Sequence, residues 1–342
     1  MRHHIDYKLV RDIGEQSHAS LVGSFNSTVT SYYPQVSKDL FRQFGVSAGN
    51  ALSSHYDPRN PEEAQLYQRL WRAPERTLYM GAPVSLALTD HLTLRATPYA
   101  QGAYGNVPSG STLPLSGIYT GTQALNDTLV LPSSQDGQAL VRANYTQRST
   151  RSGFTSELAW KQGWNELVFG YWFDYGDDHE VQSFSSVSEN GVSANIWGNG
   201  TGNFVRLASG RMYLAGDNHT ISMANALFVG DRMSFLADRL LVELGFKEVM
   251  VSRNGTNAVP GPQYHVGSNS AVPLPRLGMR FQITPQHQIF LNATTNFRAP
   301  SFTALYNSTT RQAEKRAPMV QAICATNTRF RKSWAIAIPA RS

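Results

Sequence analysis

The sequence predicts an all-β protein, an antiparallel transmembrane β-barrel segment of about ten strands. Three observations lead there. Apolar residues recur at every second position along most of the chain. Short turns and long loops alternate between those segments. Charged residues make up only 16% of the composition, below the ~25% usual in soluble domains, while aromatic residues are plentiful and no apolar run approaches the ~20 residues of a membrane helix.

The opening stretch MRHHIDYKLVRDIGEQ has no apolar core and no small-residue cleavage site. It is not a secretory signal, so an exported protein of this class is expected to start elsewhere. The first clear alternation is Leu21, Gly23, Phe25, Ser27, Val29, Ser31 and Tyr33 on one face. Further on, Leu167, Phe169, Tyr171 and Phe173 share a face, and Leu240, Val242, Leu244 and Phe246 do so with Glu243 and Lys247 opposite. Period two, apolar on one side and mixed on the other, is strand periodicity.

The connections carry more information. Thr89-Asp90-His91, Gly163-Trp164-Asn165, Ala237-Asp238-Arg239 and Pro285-Gln286-His287 read as tight turns. Between these hairpins lie stretches rich in Gly, Ser, Asn and Pro, at about 34–75, 105–137, 178–217 and 254–272. Loops of that length are unusual in compact soluble domains. In outer-membrane barrels short turns face the periplasm and long loops face outside. Residues 138–147 and 153–161 fit this order only as one long bent strand. Its apolar positions switch from Val141, Ala143 and Tyr145 to Phe154, Leu158 and Trp160, the change a β-bulge would produce.

The formal charge of +6 is local. Residues 311–342 carry seven basic residues against Glu314, and the preceding 310 residues balance at 23 of each sign. The body therefore has no electrostatic footprint for nucleic acid. The lone Cys324, in the same tail, excludes an internal disulfide framework. Residues 307–342 show no strand alternation until Trp334-Ala335-Ile336-Ala337-Ile338.

At Asn296-Phe297-Arg298-Ala299-Pro300-Ser301-Phe302, followed by Leu305-Tyr306, the chain resembles TonB-dependent outer-membrane receptors, in which a strand often ends in such a phrase. Pro275 to Met279 before it, Leu240 to Val249, Leu94 to Gly105 and Gly170 to Tyr175 resemble further strands of that family. The resemblance covers about residues 18–306. It implies a receptor in the outer membrane of a Gram-negative bacterium, with membrane lipid around a 22-stranded barrel and a plug domain inside it. It also implies energised uptake of a ferric siderophore or similar scarce nutrient, with TonB as partner. Signal, plug and about half of the strands have no counterpart here. The expectation is therefore a fragment: residues 1–306 a partial barrel, not functional alone, and residues 307–342 a basic tail outside the family pattern.

No chemistry competes with this. Gly198-Asn199-Gly200-Thr201-Gly202 lacks the preceding strand and following helix that a phosphate loop needs. Asp174, Asp177, Asp178, His179 and Glu180 could gather a hard cation, but at a strand end entering a loop they read as solvated acids. His3 and His4 would point to opposite faces of a strand and cannot share a metal. Arg298 reads as a rim charge beside a strand-ending Pro300. Sequons such as those at Asn199 and Asn254 are what Asn- and Thr-rich loops contain by chance. Trp160, Tyr171, Trp172 and Tyr175 are candidates for an interfacial aromatic girdle. No catalytic, cofactor, metal or ligand-contacting residue is assigned, and an enzyme is not expected. The rival readings are a passive porin-like channel and a soluble all-β binding protein.

Overall fold

The structure, a computed structural model, describes residues 1–34, 38–45, 52–131, 134–135, 137–261, 264–299, 305–306 and 327–337. One large antiparallel sheet dominates, and its path runs through eleven strands in chain order. They are β1 (Arg2–Asp12), β2 (His18–Ser31), β3 (Arg72–Gly81, continued as Val84–Ala87) and β4 (Leu92–Asn106, continued as Ser109–Pro114). There follow β5 (Gln138–Gln162), β6 (Asn165–Ser186), β7 (Leu214–Phe235), β8 (Leu240–Asn257), β9 (His265–Thr284), β10 (His287–Arg298) and β11 (Asn327–Ala337). Pro83 and Pro108 interrupt β3 and β4 without changing the register on either side of the break, because proline removes a donor but not the strand path.

The four tight turns expected from the sequence all connect neighbouring strands, at 88–91, 163–164, 236–239 and 285–286. Gly163 takes φ +59 in its turn. Among the described residues, long connections lie at the other end, within 32–71, 115–137 and 187–213. Three corrections apply. β1 was not anticipated, although Ile5, Tyr7 and Leu9 alternate along it. Much of what reads as loop at 105–137, 178–217 and 254–272 is strand: β4 continues to Pro114, β6 runs on to Ser186, β7 begins at Leu214, β8 ends at Asn257 and β9 begins at His265. Finally, β5 is one strand as expected but has no bulge. It pairs with β6 in unbroken register from Val141↔Ser186 to Gln162↔Asn165, and with β4 likewise.

The pairing explains the parity switch. Carried across the registers, one face of the sheet collects Ile5, Leu9, Leu21, Phe25, Leu78, Leu86, Leu94, Phe154, Leu158, Trp160, Leu167, Phe169, Leu227, Val229, Leu244, Phe246, Leu277 and Ile289. Most of these large side chains are exposed. In water such a band would be a severe liability; in a membrane it is the lipid-facing wall. On β6 the band ends at Tyr175, above which Asp177 and His179 occupy the same face. Above the band both faces of β5 are covered by loops. Val141 packs with Leu113, Ile118, Leu129, Val205 and Tyr213. Leu140, on the opposite face, packs with Tyr67, Leu70, Trp71 and Val187. The environment changes along β5, not its register.

Arg142 lies beside Leu140 and is 0% exposed. Its guanidinium donates to the main-chain oxygens of Leu70 (3.3 Å), Arg72 (2.9 Å), Asn195 (3.1 Å) and Ile196 (3.0 Å), and to Asn144 Oδ1 (3.3 Å). It thereby ties connection 32–71 to connection 187–213. Burial pulls its pKa down to about 10, so it remains a cation at neutral pH. No described helix is long and apolar enough to cross a membrane.

Candidate functional site

The other face of the sheet is polar, and it is the face a barrel turns to its lumen. Its charges are paired across strands. Arg95 donates to Glu157 (2.7 Å), Arg151 to Asp174 (3.0 Å), and Arg276 to Glu243 (3.0 Å). Tyr99 donates its hydroxyl proton to Asp174 (2.6 Å) and accepts from the Trp172 indole N–H (3.1 Å). The Lys247 ammonium sits 5.7 Å from the Trp172 ring centroid. Lower on the same wall, Glu166, Arg232, Glu243, Lys247, Arg276 and Trp172 line an open hollow of about 1040 Å³. The exposed pairs are each worth at most ~1 kcal/mol. Their main effect is to hold a dense, alternating-sign polar wall.

Two glycines make room for aromatic rings on this wall. Gly153 stands directly opposite Tyr99, and a Cβ there would lie 2.7 Å from the Tyr99 hydroxyl. Gly170 stands opposite Phe228, whose ring occupies the space a Cβ would need. Glycine at a cross-strand position lets the opposing ring lie flat over the backbone.

The candidate residues fall out as follows. Asp174, Asp177, Asp178, His179 and Glu180 are not solvated loop acids, which corrects the expectation. They lie within β6 and alternate between its faces. Asp174 (5% exposed), Asp178 (4%) and Glu180 (7%) are buried on the polar face. Asp177 and His179 lie on the other face, where His219 Nε2 contacts Asp177 (2.9 Å) and His179 Nε2 contacts Asp217 (2.7 Å). Burial raises the carboxyl pKa of Asp178 and of Glu180 above the ordinary carboxylate range.

Trp172 is also a correction: it faces the polar wall, whereas Trp160, Tyr171 and Tyr175 share the apolar face. His3 and His4 lie in β1, on opposite faces by strand alternation, and His4 Nε2 contacts Asp6 at 2.7 Å. Gly198–Gly202 leads only into a three-residue 3₁₀ turn, Thr201–Asn203, so no helix N-terminus faces it. Asn254 belongs to β8, not a loop. Arg298 ends β10, and Pro300 to Phe302 lie outside the described residues. Among the described residues no group of three or more His, Cys, Asp or Glu is placed to hold a metal. The luminal pairs Arg95–Glu157, Arg151–Asp174 and Arg276–Glu243 were missed in the sequence. Their only signal there is charge at alternate positions within apolar strands.

A family model described as TonB dependent receptor-like, beta-barrel matches residues 15–330. The chain belongs to the TonB-dependent receptor β-barrel family. Its match extends into Asn327–Ala337, the last strand of the sheet. No curated protein sequence matches the chain. Among solved structures, the ferric yersiniabactin uptake receptor of Yersinia pestis is similar at 11% identity and TM-score 0.52, over 87% of this chain and 38% of that one. The siderophore receptor PiuA of Acinetobacter baumannii is similar at 13% identity and TM-score 0.52, over 91% and 45%. The ferric-catecholate import receptor Fiu of E. coli K12 reaches TM-score 0.53 at 8% identity, over 87% and 47%. At such identities these likenesses show the fold. This TonB-dependent receptor chain spans less than half the length of each of them.

Proposed function

We propose that the chain is a fragment, about half of the barrel, of an outer-membrane receptor of a Gram-negative bacterium that takes up a ferric siderophore or a similar scarce nutrient. TonB would supply the energy, and membrane lipid would surround the apolar wall. The observation that carries this reading is the family match over residues 15–330, on a sheet whose two faces divide into an apolar wall and a charged, paired one. A transport role fits the polar wall, which offers a ligand or an inner domain many hydrogen-bonding groups.

Strand direction supports the further reading that the chain does not transport alone. With eleven antiparallel strands, β1 and β11 run the same way. The sheet's own edges therefore cannot close on each other in antiparallel fashion, and lipid tolerates no open edge. Residues 1–306 are taken as partial barrel, and β11 (Asn327–Ala337), within the basic stretch 307–342, adds its last strand.

The test is iron uptake in a Gram-negative strain stripped of its own ferric-siderophore receptors. The chain alone is expected to give no uptake, and its parent protein to give uptake that stops when TonB is deleted. Uptake that persists without TonB would reject the energised reading in favour of a passive channel.

A further inference from the structure

A groove and a pair of guanidiniums meet at the top of the lipid-facing wall. On β4 the apolar face becomes small there, at Ala100 and Gly102, and an ideal Cβ on Gly102 would meet nothing within 4 Å. Met80 and Ser152 stand opposite Ala100 on β3 and β5, and Leu78 and Thr150 stand opposite Gly102. Tyr175 follows Ser152 on β6. Leu78 and Met80, 46% and 40% exposed, wall one side of a hollow of about 380 Å³ over Ala100 and Gly102, and Tyr175 borders the other. The strands on either side of β4 lie roughly 10 Å apart, which leaves room for one acyl chain along the floor.

One row higher the same face turns cationic. Arg76 on β3, Tyr104 on β4, Arg148 on β5 and His179 on β6 are successive partners across the sheet. Both arginines are exposed, and neither has an acidic partner among the described residues. They flank Tyr104, which continues the floor of the groove upward. The Arg76 guanidinium lies 4.3 Å from the centroid of the Trp197 ring, and the Trp197 main-chain oxygen accepts from the Tyr104 hydroxyl at 3.0 Å. Arg76 therefore leans towards β4. Above the row, Asn106 Nδ2 donates to the Ile196 oxygen (3.0 Å), so the chain at Ile196 and Trp197 roofs it. The acids of β6 and β7 on this face have partners of their own: Asp177 contacts His219, and Asp217 contacts His179. Arg76 and Arg148 stand two strands apart on one row, roughly 10 Å between Cα atoms, so both guanidiniums reach a single phosphate placed between them.

We propose that this corner of the outer face binds an acylated lipid with a phosphate monoester headgroup. One acyl chain lies in the groove over Ala100 and Gly102, and the phosphate sits between Arg76 and Arg148. A free phosphate would leave the groove empty, and an uncharged lipid would leave the guanidiniums without a counter-ion; a phosphorylated lipid fills both. Arginine suits this headgroup because its planar donors engage two phosphate oxygens at once. Tyr104, Tyr175 and Trp197 border the site at the level where aromatic rings meet a headgroup layer. The site rests on the lipid-facing reading of the apolar wall and is independent of the cargo.

The test uses the full chain in neutral detergent micelles, with its β-sheet content first established by circular dichroism. Native mass spectrometry counts the lipids that stay bound. Phosphatidic acid and phosphatidylcholine with the same acyl chains are the probes, and inorganic phosphate is the competitor. The chain should retain phosphatidic acid about tenfold better than phosphatidylcholine, and inorganic phosphate should not displace it. Arg76→Gln combined with Arg148→Gln should remove that preference, since each basic residue at an anionic headgroup contributes about fivefold. Gly102→Leu fills open space, so the sheet should survive while retention of phosphatidic acid falls severalfold. Arg280→Gln, on the luminal face of β9, should change nothing. Equal retention of the two lipids by the folded chain overturns the proposal, as does a preference that survives the double substitution. Displacement by inorganic phosphate, or retention unmoved by Gly102→Leu, would leave an ion site without the groove and overturns it too. A Phe169 face closed to lipid would sink the lipid-facing reading and this site together, whereas failure of ferric-siderophore uptake would leave the site standing.

Discussion

Replacing Arg142 by methionine should release the outer loops without unfolding the membrane wall. The guanidinium makes five hydrogen bonds, four of them to main-chain oxygens of Leu70, Arg72, Asn195 and Ile196. Each hydrogen bond to a charged group contributes ~1.5–3 kcal/mol, but burying the cation offsets part of that sum, as its lowered pKa of about 10 records. Methionine fills similar space and leaves buried carbonyls without donors, a loss of ~1–3 kcal/mol for each that water cannot reach. The net cost should be about 3–5 kcal/mol, confined to the loops that Arg142 joins. Amide hydrogen exchange read by mass spectrometry is the assay. Exchange in 52–71 and 187–203 should rise by roughly two to four orders of magnitude, while the turns at 163–164 and 236–239 stay unchanged. Arg142→Lys should fall between, since one ammonium reaches fewer of the carbonyls. Unchanged exchange in both loops would refute the clasp.

Three further outcomes are expected. Phe169→Arg, on the apolar wall, should cost ~2–4 kcal/mol in urea titrations of folding into lipid vesicles, and Val168→Arg, one residue away on the polar wall, well under half as much; equal costs would reverse the assignment of faces. Leu236, Ala237 and Asp238 all take positive φ, at 56°, 51° and 65°. Ala237→Gly should therefore stabilise by ~0.5–1 kcal/mol in the same titration, and a loss would contradict the left-handed turn. The raised carboxyl pKa values of Asp178 and Glu180 make the fold gain stability below the unfolded carboxylate range. That gain disappears as pH rises through the folded values, so outer β6 and β7 amides should be better protected at pH ~4 than at neutral pH, after correction for intrinsic exchange. Combining Asp178→Asn with Glu180→Gln should abolish the difference, and a pH response that survives it would reject these groups as the cause.

Tight turns were legible because their residue chemistry is local: Gly163-Trp164 and Pro285-Gln286 can do little else. The apolar wall was legible wherever lipid selects side chains, as at Leu167, Phe169 and Phe173. Legibility failed where lipid stops selecting. Above Tyr175 the strand residues Gly176 to Ser186 are mostly small or polar and read as loop, although their backbone pairing with β5 continues. β1 was hidden for a related reason, because Asp6 and Lys8 sit between its apolar residues. The parity change along β5 was visible, but its cause was not: Val141 and Phe154 face different surroundings on one straight register. The acid group of β6 could not be resolved from sequence at all, since its meaning depends on which alternate residues face Asn218 and Thr220 across the sheet.

The central claim is that a transmembrane sheet presents one face to lipid and the other to a polar lumen, and oxygen accessibility along β6 tests it most directly. Spin labels placed singly from Leu167 to Tyr175, in a Cys324→Ser background and in lipid vesicles, should show a period of two. Odd positions should be accessible to oxygen and shielded from a water-soluble relaxant, and even positions the reverse. A flat profile, or water access at Phe169 and Tyr171, would contradict the account.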